Sequence, residues 1–442
     1  MRRLESQGLS PTADMTGRPQ VLVEPSAHHL LNIGDAAMLE MAVERFAGLW
    51  PSASIRVITE SPERLARLCP LAVPLDAEGR SLWFQGRPLT HTLHRLLTKP
   101  VSRRVGRFEA SLRRSYPAAV ESVLRSRARL RGRETRPLQE FLAAVRDADV
   151  VVSTGAGLLT DDYALLAIEV LDLLDLAKRR HGAVTALLGH GIGPISNTAL
   201  LRRAREVLPT VDLITLREKV VGRPLLLSLG VEPDRIATTG DDALELAFRV
   251  EPAPTPGTRL GFNLRLARYS RVDQGSADMI GAAILDAAQR HATEPLPIAI
   301  SLHPKEQDDA VAARLLSRPV EGEAPDSPLG LVERIQRCRI VVTGSYHAAV
   351  FALAQGIMVV GITQSPYYDA KFLGLKDQFQ GLVGIVSVDR DVRARLTYEI
   401  DRAWQTADEV RPRLLELAAL QIEQARSAYE RLGELVTGSV RT

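Results

Sequence analysis

A hydroxyl, a phenol and an imidazole stand side by side at Ser345-Tyr346-His347, directly after the apolar run Ile340–Thr343 and the turn residue Gly344. With that run as a buried strand and the following residues as a helix, the three side chains sit at the positive end of a helix dipole. Open α/β sheets bind anionic ligands in this place, beyond the carboxyl end of a strand. An imidazole there can move a proton near neutral pH. Other apolar runs end in matching chemistry. In Asn32-Ile33-Gly34-Asp35, Gly34 lets the backbone approach a ligand closely, and Asn32 and Asp35 either cap the next helix or hold a ligand hydroxyl. Leu216-Arg217-Glu218 supplies a guanidinium, whose fork of donors clamps a carboxylate or phosphate or else pairs with Glu218 or Asp242. Asn263-Leu264-Arg265 and Ser301-Leu302-His303 add a second guanidinium and a second imidazole. The loop Gln364–Lys371 adds Tyr367 and Tyr368, which stack on a sugar or merely cover a core, and Lys371, which can neutralise a phosphate. Strand-end loops converging on one crevice make a site.

Two glycine-bearing turns follow further apolar runs, Ser153-Thr154-Gly155-Ala156-Gly157 and Gly189-His190-Gly191-Ile192-Gly193-Pro194. Neither completes the Gly-x-Gly-x-x-Gly fingerprint or a Gly-Lys-Ser/Thr phosphate loop, so a dinucleotide or Walker-type site is not supported. They read as turns along the upper rim of a sheet, with Gly155 and Gly157 near a ligand. His190 either reaches the cleft or is structural between its glycines.

The elements that must position these groups alternate, short β-branched runs with longer helical patterns, as in parallel sheets built from βαβ units. One series of strands is expected at Gln20–Glu24, Ser54–Thr59, Val150–Ser153, Val184–Leu188, Leu213–Leu216 and Ile236–Thr238. A second is expected at Arg259–Asn263, Pro297–Ser301, Ile340–Thr343 and Met358–Ile362. Between them Glu251-Pro-Ala-Pro-Thr-Pro-Gly257 can continue neither a helix nor a central strand. The expected fold is therefore α/β, two Rossmann-like domains facing a cleft. The divisions are a disordered segment over residues 1–19, a first domain over 20–250, a linker over 251–257, a second domain over 258–388 and a helical tail over 389–442. Residues 78–137, Arg-rich and interrupted by Pro88, Pro100, Pro117 and Pro137, read as a helical insertion in the first domain.

With 442 residues, the chain is long enough for about two or three cores. Its 45% hydrophobic and 25% charged residues and net charge of +3 are those of a globular protein without a global polyanion-binding signal. The arginines crowding the insertion can meet an acidic polymer or acidic lipid head groups, or can form a solvated helical face. The two cysteines, Cys69 and Cys338, have no metal-ligand spacing and suggest no disulfide framework, which fits a reducing compartment. The first residues lack the apolar core of a signal peptide, and no run of about 18 apolar residues occurs. The expected location is the cytoplasm, with peripheral contact at the inner face of the membrane through the Arg-rich insertion.

The ordered series Asn32-Ile-Gly-Asp35, Gly155-Ala-Gly157, Gly189-His-Gly-Ile-Gly-Pro194, Leu216-Arg217-Glu218, Gly240-Asp241, Gly344-Ser-Tyr-His347 and Phe351-Ala-Leu-Ala-Gln-Gly356 resembles the polysaccharide pyruvyl transferase family. The resemblance runs from about Val21 to Leu375 and implies a two-domain fold of the GT-B type. It implies transfer of the pyruvyl group of phosphoenolpyruvate to a saccharide, polysaccharide or lipid-linked glycan, commonly as a cyclic ketal. It needs no cofactor beyond that co-substrate, no metal and no nucleic acid. His347 matches the histidine of the family's Arg-Leu-His signature and is the expected general acid, with His303 as its substitute, while Asn32 and the catalytic Asp35 are expected to orient the acceptor or activate its hydroxyl. Arg217 matches the family's strand-end arginine. This chain carries Ser345-Tyr346 where the family has Arg-Leu, so either Arg265 or Lys371 takes over the missing guanidinium or the donor differs. A glycosyltransferase with a nucleotide-sugar donor and a non-catalytic paralogue are the competing readings.

Overall fold

The computed structural model describes residues 18–86, 99–155, 157–264, 273–303, 308–316 and 325–440. Seven parallel strands form the first sheet: β1 Gln20–Glu24, β2 Ser54–Thr59, β3 Ala72–Asp76, β4 Val150–Thr154, β5 Val184–His190, β6 Leu213–Leu216 and β7 Ile236–Thr238. Their order is β3-β2-β1-β4-β5-β6-β7. The second sheet is five-stranded and parallel, with β8 Arg259–Asn263, β9 Pro295–Pro297, β10 Cys338–Thr343, β11 Met358–Thr363 and β12 Gly384–Ser387 in the order β12-β11-β10-β8-β9. Strand order reverses between β1 and β4 in the first sheet and between β8 and β10 in the second. A parallel sheet leaves a crevice at such a switch point, outside the strand carboxyl ends.

Both faces of the first sheet are covered, which is why its strands are apolar nearly throughout. Alternation puts Leu22, Val151, Leu187 and Ile214 in the layer beneath one face, and Val21, Val23, Val150, Val152 and Leu188 in the layer beneath the other. The helix Ile33–Leu49 serves two cores at once. Its Leu39, Val43, Phe46 and Leu49 pack on the first sheet, while Ile33, Ala37, Met38 and Met41 enter the core of the second. The C-terminal helix Val392–Val440 does the same over a longer span, with Leu396, Ile400 and Ala403 in the second core and Tyr429, Leu432 and Val436 in the first. A buried polar knot anchors its far end: Arg45 donates to Asp242 at 2.5 Å, and the Tyr429 hydroxyl donates to the other oxygen of Asp242 at 3.0 Å.

The strand expected at Pro297–Ser301 is corrected to Pro295–Pro297. Past Pro297 the Asp308 carboxylate takes the amides of Ile300 and Ser301, at 2.9 and 3.1 Å, and they are lost to the ladder. The segment turns instead toward the other half of the molecule. Ile33 N donates to Ile300 O at 3.0 Å, Leu302 N donates to Leu31 O at 2.8 Å, and Asn32 and Ser301 form an antiparallel bridge. Edge strands β3 and β12 had no counterpart in the sequence reading. Between Ala77 and Arg146 the chain forms the helices Ala77–Gln85, Lys99–Ser115, Pro117–Leu130 and Arg136–Arg146. The expected breaks at Pro117 and Pro137 are helix starts, where proline's fixed φ is pre-set and its missing N–H costs nothing. Trp83, Phe84, Val120, Leu138 and Phe141 from these helices complete the layer under the first sheet.

Candidate active site

A cavity of about 390 Å³ opens where the two switch points face each other. Of the residues singled out in the sequence, Asn32, Asp35, Gly157, Arg217, His303, Ser345, Tyr346, His347, Tyr367, Tyr368 and Lys371 line it. Gly34, Gly155, Gly344 and His190 do not, and Arg265 lies outside the described residues. His190 is fully buried, with Nε2 against the Ser153 carbonyl at 3.1 Å, and burial brings its pKa down to about 4. It is a neutral structural ring. Gly34 and Gly155 act from behind the wall: a Cβ at Gly155 would strike the Met38 methyl, and one at Gly34 would fall 2.0 Å from Cγ of His347.

Arg217 is only 2% exposed. Its guanidinium lies over the Tyr346 ring, 4.3 Å from the centroid, and faces Asp241 at 3.5 Å, while Nη2 makes no hydrogen bond among the described residues. Burial works against its charge and Tyr346 and Asp241 work for it, leaving its pKa above the ordinary arginine value. Gly191 gives it room, since a Cβ there would stand 2.9 Å from Nε. The second cation, Lys371, donates to the Tyr367 hydroxyl at 2.5 Å and lies 3.9 Å from the Tyr367 ring centroid, with Tyr346 and Tyr368 at 5.7 and 5.4 Å. Burial raises the phenols of Tyr346 and Tyr367 above their ordinary range, so both are neutral donors. Two fixed cations and two neutral phenols in a dry wall suit a ligand with more than one negative charge. Gly157 completes this wall, its α-carbon close enough that a Cβ would meet the Tyr367 hydroxyl at 2.4 Å.

The His347 ring lies between two carboxylates and shares Asp241 Oδ2 with Arg217. Nδ1 is 3.9 Å from Asp35 Oδ1, Nε2 is 3.7 Å from Asp241 Oδ2, and Met38 Sδ lies 3.4 Å from Nε2. Ser345 takes the N-cap position of the helix Tyr346–Ala354, but its side chain makes no cap bond to it. Asn32 does cap its helix, accepting from the amides of Gly34 and Asp35 at 3.0 and 3.2 Å, and it also lines the cavity. Gly34→Ala should displace the His347 ring by about an ångström, a shift that can cost as much as 100-fold in rate. The expected result is a turnover loss of roughly 10- to 100-fold, with a near-native circular dichroism spectrum and a lowered melting temperature from the overpacking.

Asp241 is held up to about 6 by burial, with Asp242 and Asp35 adding to the rise and Arg217 and the Ala243 amide opposing it. The unfolded chain releases this proton near 3.8, the folded one near 6. Between those values the folded state binds more protons, so Asp241's contribution makes stability fall as pH rises through the window. Glu40, raised to about 7 by burial and Glu44, adds a slope of the same sign reaching higher. Urea midpoints measured from pH 4 to pH 7 should therefore decline less steeply in Asp241→Asn than in the wild type; parallel curves would show that Asp241 does not carry this proton.

His28, His29, Glu60, Tyr163 and Asp241 were not picked out by the sequence reading as site residues. The first four line the cavity, and Asp241 stands behind His347. The signal was available for three of them: His28-His29 follows β1 as directly as Ser345–His347 follows β10, and Asp241 stands in the Gly240-Asp241 motif of the ordered series. His29 packs edge-on to His303, ring centroids 5.4 Å apart, which draws both halves of the molecule into the cavity mouth.

The sequence model of the family described as polysaccharide pyruvyl transferase matches residues 32–366, from the Asn32 cap to the start of the Tyr367 helix. The chain belongs to this family. No curated protein matches the sequence. Among solved structures, the Anabaena HepE protein in complex with UDP is similar over 95% of this chain and all of its own, at 10% identity and a TM-score of 0.53. UDP-GlcNAc 2-epimerase from Neisseria meningitidis bound to UDP-GlcNAc is similar over 95% and 99% at 12% identity and a TM-score of 0.51. A glycosyltransferase from Rickettsia africae matches over the same shares at 11% identity and a TM-score of 0.51. These likenesses establish the GT-B fold for the family member described here. Among the described residues no helix is long and apolar enough to cross a membrane.

Proposed function

We propose that the protein transfers the pyruvyl group of phosphoenolpyruvate to a saccharide or glycan-precursor hydroxyl, with ketal formation as the end product. The observation that carries this reading is the buried Arg217, its Nη2 unpartnered among the described residues, lining one cavity with Lys371 and sharing Asp241 Oδ2 with His347. Phosphoenolpyruvate brings a carboxylate and a phosphate on a small planar frame. One guanidinium and one ammonium match that charge, and the Tyr346 and Tyr367 hydroxyls can add neutral hydrogen bonds. Lys371 supports the reading at the place where Ser345 stands instead of the family's arginine, since it brings a cation to the same wall.

The chemistry begins at the enol-ether double bond. A proton delivered from His347 to the methylene carbon makes it a methyl group and leaves cationic character at C2, which a sugar hydroxyl attacks. The carboxylates of Asp35 and Asp241, one on each side of the ring, favour an imidazole that arrives protonated. Phosphate then leaves with the electrons of its bond to C2, and a second hydroxyl closes the ketal. Of the two hydroxyl protons, one is matched by the new methyl hydrogen and the other leaves with phosphate.

Isothermal titration with phosphoenolpyruvate, beside UDP and UDP-sugars, tests this directly. Saturable binding of phosphoenolpyruvate is expected, followed by products that have gained the mass of pyruvic acid less one water. Binding of the nucleotides alone would sink the proposal in favour of a nucleotide-sugar donor.

A further inference from the structure

His28 has no part in the donor chemistry, yet it lines the same cavity. Its Nε2 meets Glu24 Oε1 at 3.1 Å. Glu24 is the last residue of β1, is 1% exposed, and is held below the usual carboxylate range by Arg80 and His28 against the effect of burial. An ionised carboxylate only accepts hydrogen bonds, so His28 Nε2 carries a proton toward Glu24, and in the neutral ring Nδ1 holds the lone pair. Among the described residues Nδ1 has no hydrogen bond.

The pair is firmly mounted. Arg80 lies 2.7 Å from Glu24 on one side and 2.7 Å from Glu169 on the other, inside the layer under the first sheet. The His28 carbonyl accepts from the Glu60 amide at 3.0 Å and from the Thr59 hydroxyl at 2.9 Å, which fixes the backbone between the ends of β1 and β2. The neighbouring imidazole is engaged through its other nitrogen. His29 accepts from the Leu31 amide at Nδ1, 3.1 Å away, so its proton lies on Nε2 and it serves as a donor. His28 thus joins the buried Glu24 carboxylate to a ring that lines the cavity.

Resting on the pyruvyl transfer reading, we propose that His28 is the general base for the acceptor hydroxyl, with Glu24 as its positioning residue. His28 Nδ1 takes the hydroxyl proton as the hydroxyl oxygen forms its bond to C2. The C2–C3 π electrons meanwhile take the proton that His347 delivers to C3. The positive charge that develops on His28 is met by Glu24, and His28 passes its proton to the departing phosphate. Acid and base thus come from different halves of the chain, His347 after β10 and His28 after β1, with the acceptor between them and the mouth formed by His29 and His303.

The test uses the full-length protein, phosphoenolpyruvate and a panel of methyl hexosides as acceptor probes, with phosphate release as the readout of transfer and calorimetry as the readout of donor binding. His28→Ala should lose at least about 100-fold in kcat, keep the wild-type Kd for phosphoenolpyruvate within about twofold, and regain activity on addition of free imidazole. Glu24→Gln should lose roughly tenfold in kcat with donor Kd unchanged. Wild-type turnover in His28→Ala would overturn the proposal. So would a loss of donor binding in that variant, which would make His28 part of the donor clamp, or a loss that imidazole does not restore, which would make it structural. Failure of the wild type to bind phosphoenolpyruvate at all would instead overturn the donor reading beneath it, and the calorimetric arm separates that outcome from the others.

Discussion

Arg217→Ala is expected to weaken phosphoenolpyruvate binding by roughly 30- to 1,000-fold, equivalent to about 2–4 kcal/mol for a charge clamp lost from a desolvated wall. Much of that effect comes from what remains behind. Asp241 and Tyr346 are built around the guanidinium, and without it Asp241 is a buried carboxylate with no counter-charge on that side. The alanine variant will therefore also melt earlier, and Arg217→Lys separates the two consequences. Lysine keeps the charge beside Asp241 but has neither the planar fork nor the surface that stacks on Tyr346. A donor affinity loss of roughly tenfold or more, with a melting temperature close to that of the wild type, is the expected signature. Unchanged phosphoenolpyruvate titrations in both variants would remove Arg217 from the donor site.

His347→Gln should leave donor binding within a few-fold of the wild type while lowering kcat by about 10²–10⁴, the range ascribed to a positioned acid. Glutamine approximates the ring in size and can still present an amide to Asp35, but it cannot give up a proton. The split between kcat and Kd distinguishes this role from that of Arg217, whose loss is felt first in binding. A fully active glutamine variant would end the assignment of His347 as the acid and turn attention to His303, which lines the same cavity.

The parts of this molecule that were legible from its sequence are those in which one residue type serves one local need. Buried central strands such as β1, β4 and β10 are continuous β-branched runs because both faces are covered. The edge strand β3 carries Pro74 and leaves Val73 exposed, so its five residues lack that pattern. Strand β12 has four residues and one partner, β11, too little for a periodic signal. The last part of the stretch Pro297–Ser301 has a strand's composition but gives its amides to Asp308, a competition no local pattern reveals. The site divides in the same way. Ser345, His347 and Arg217 stand in positions that strand ends always make available, whereas Asp241 acquires its role by burial behind a ring from the other half of the chain. Lys371 was marked as a plain cation, and its enclosure by three tyrosines depends on how the helix Pro366–Gln378 lies against the Gly157 turn.

The rungs between residues 31–33 and 300–302 have a consequence for how the enzyme waits between turnovers. Swinging the two halves apart at the mouth breaks two backbone bonds, worth about 0.5–1.5 kcal/mol each. A difference of about 1–3 kcal/mol biases a two-state equilibrium roughly 5- to 150-fold. The resting population is therefore weighted toward the assembled cavity before any ligand arrives, and less of the first ligand's affinity is consumed in bringing the walls together.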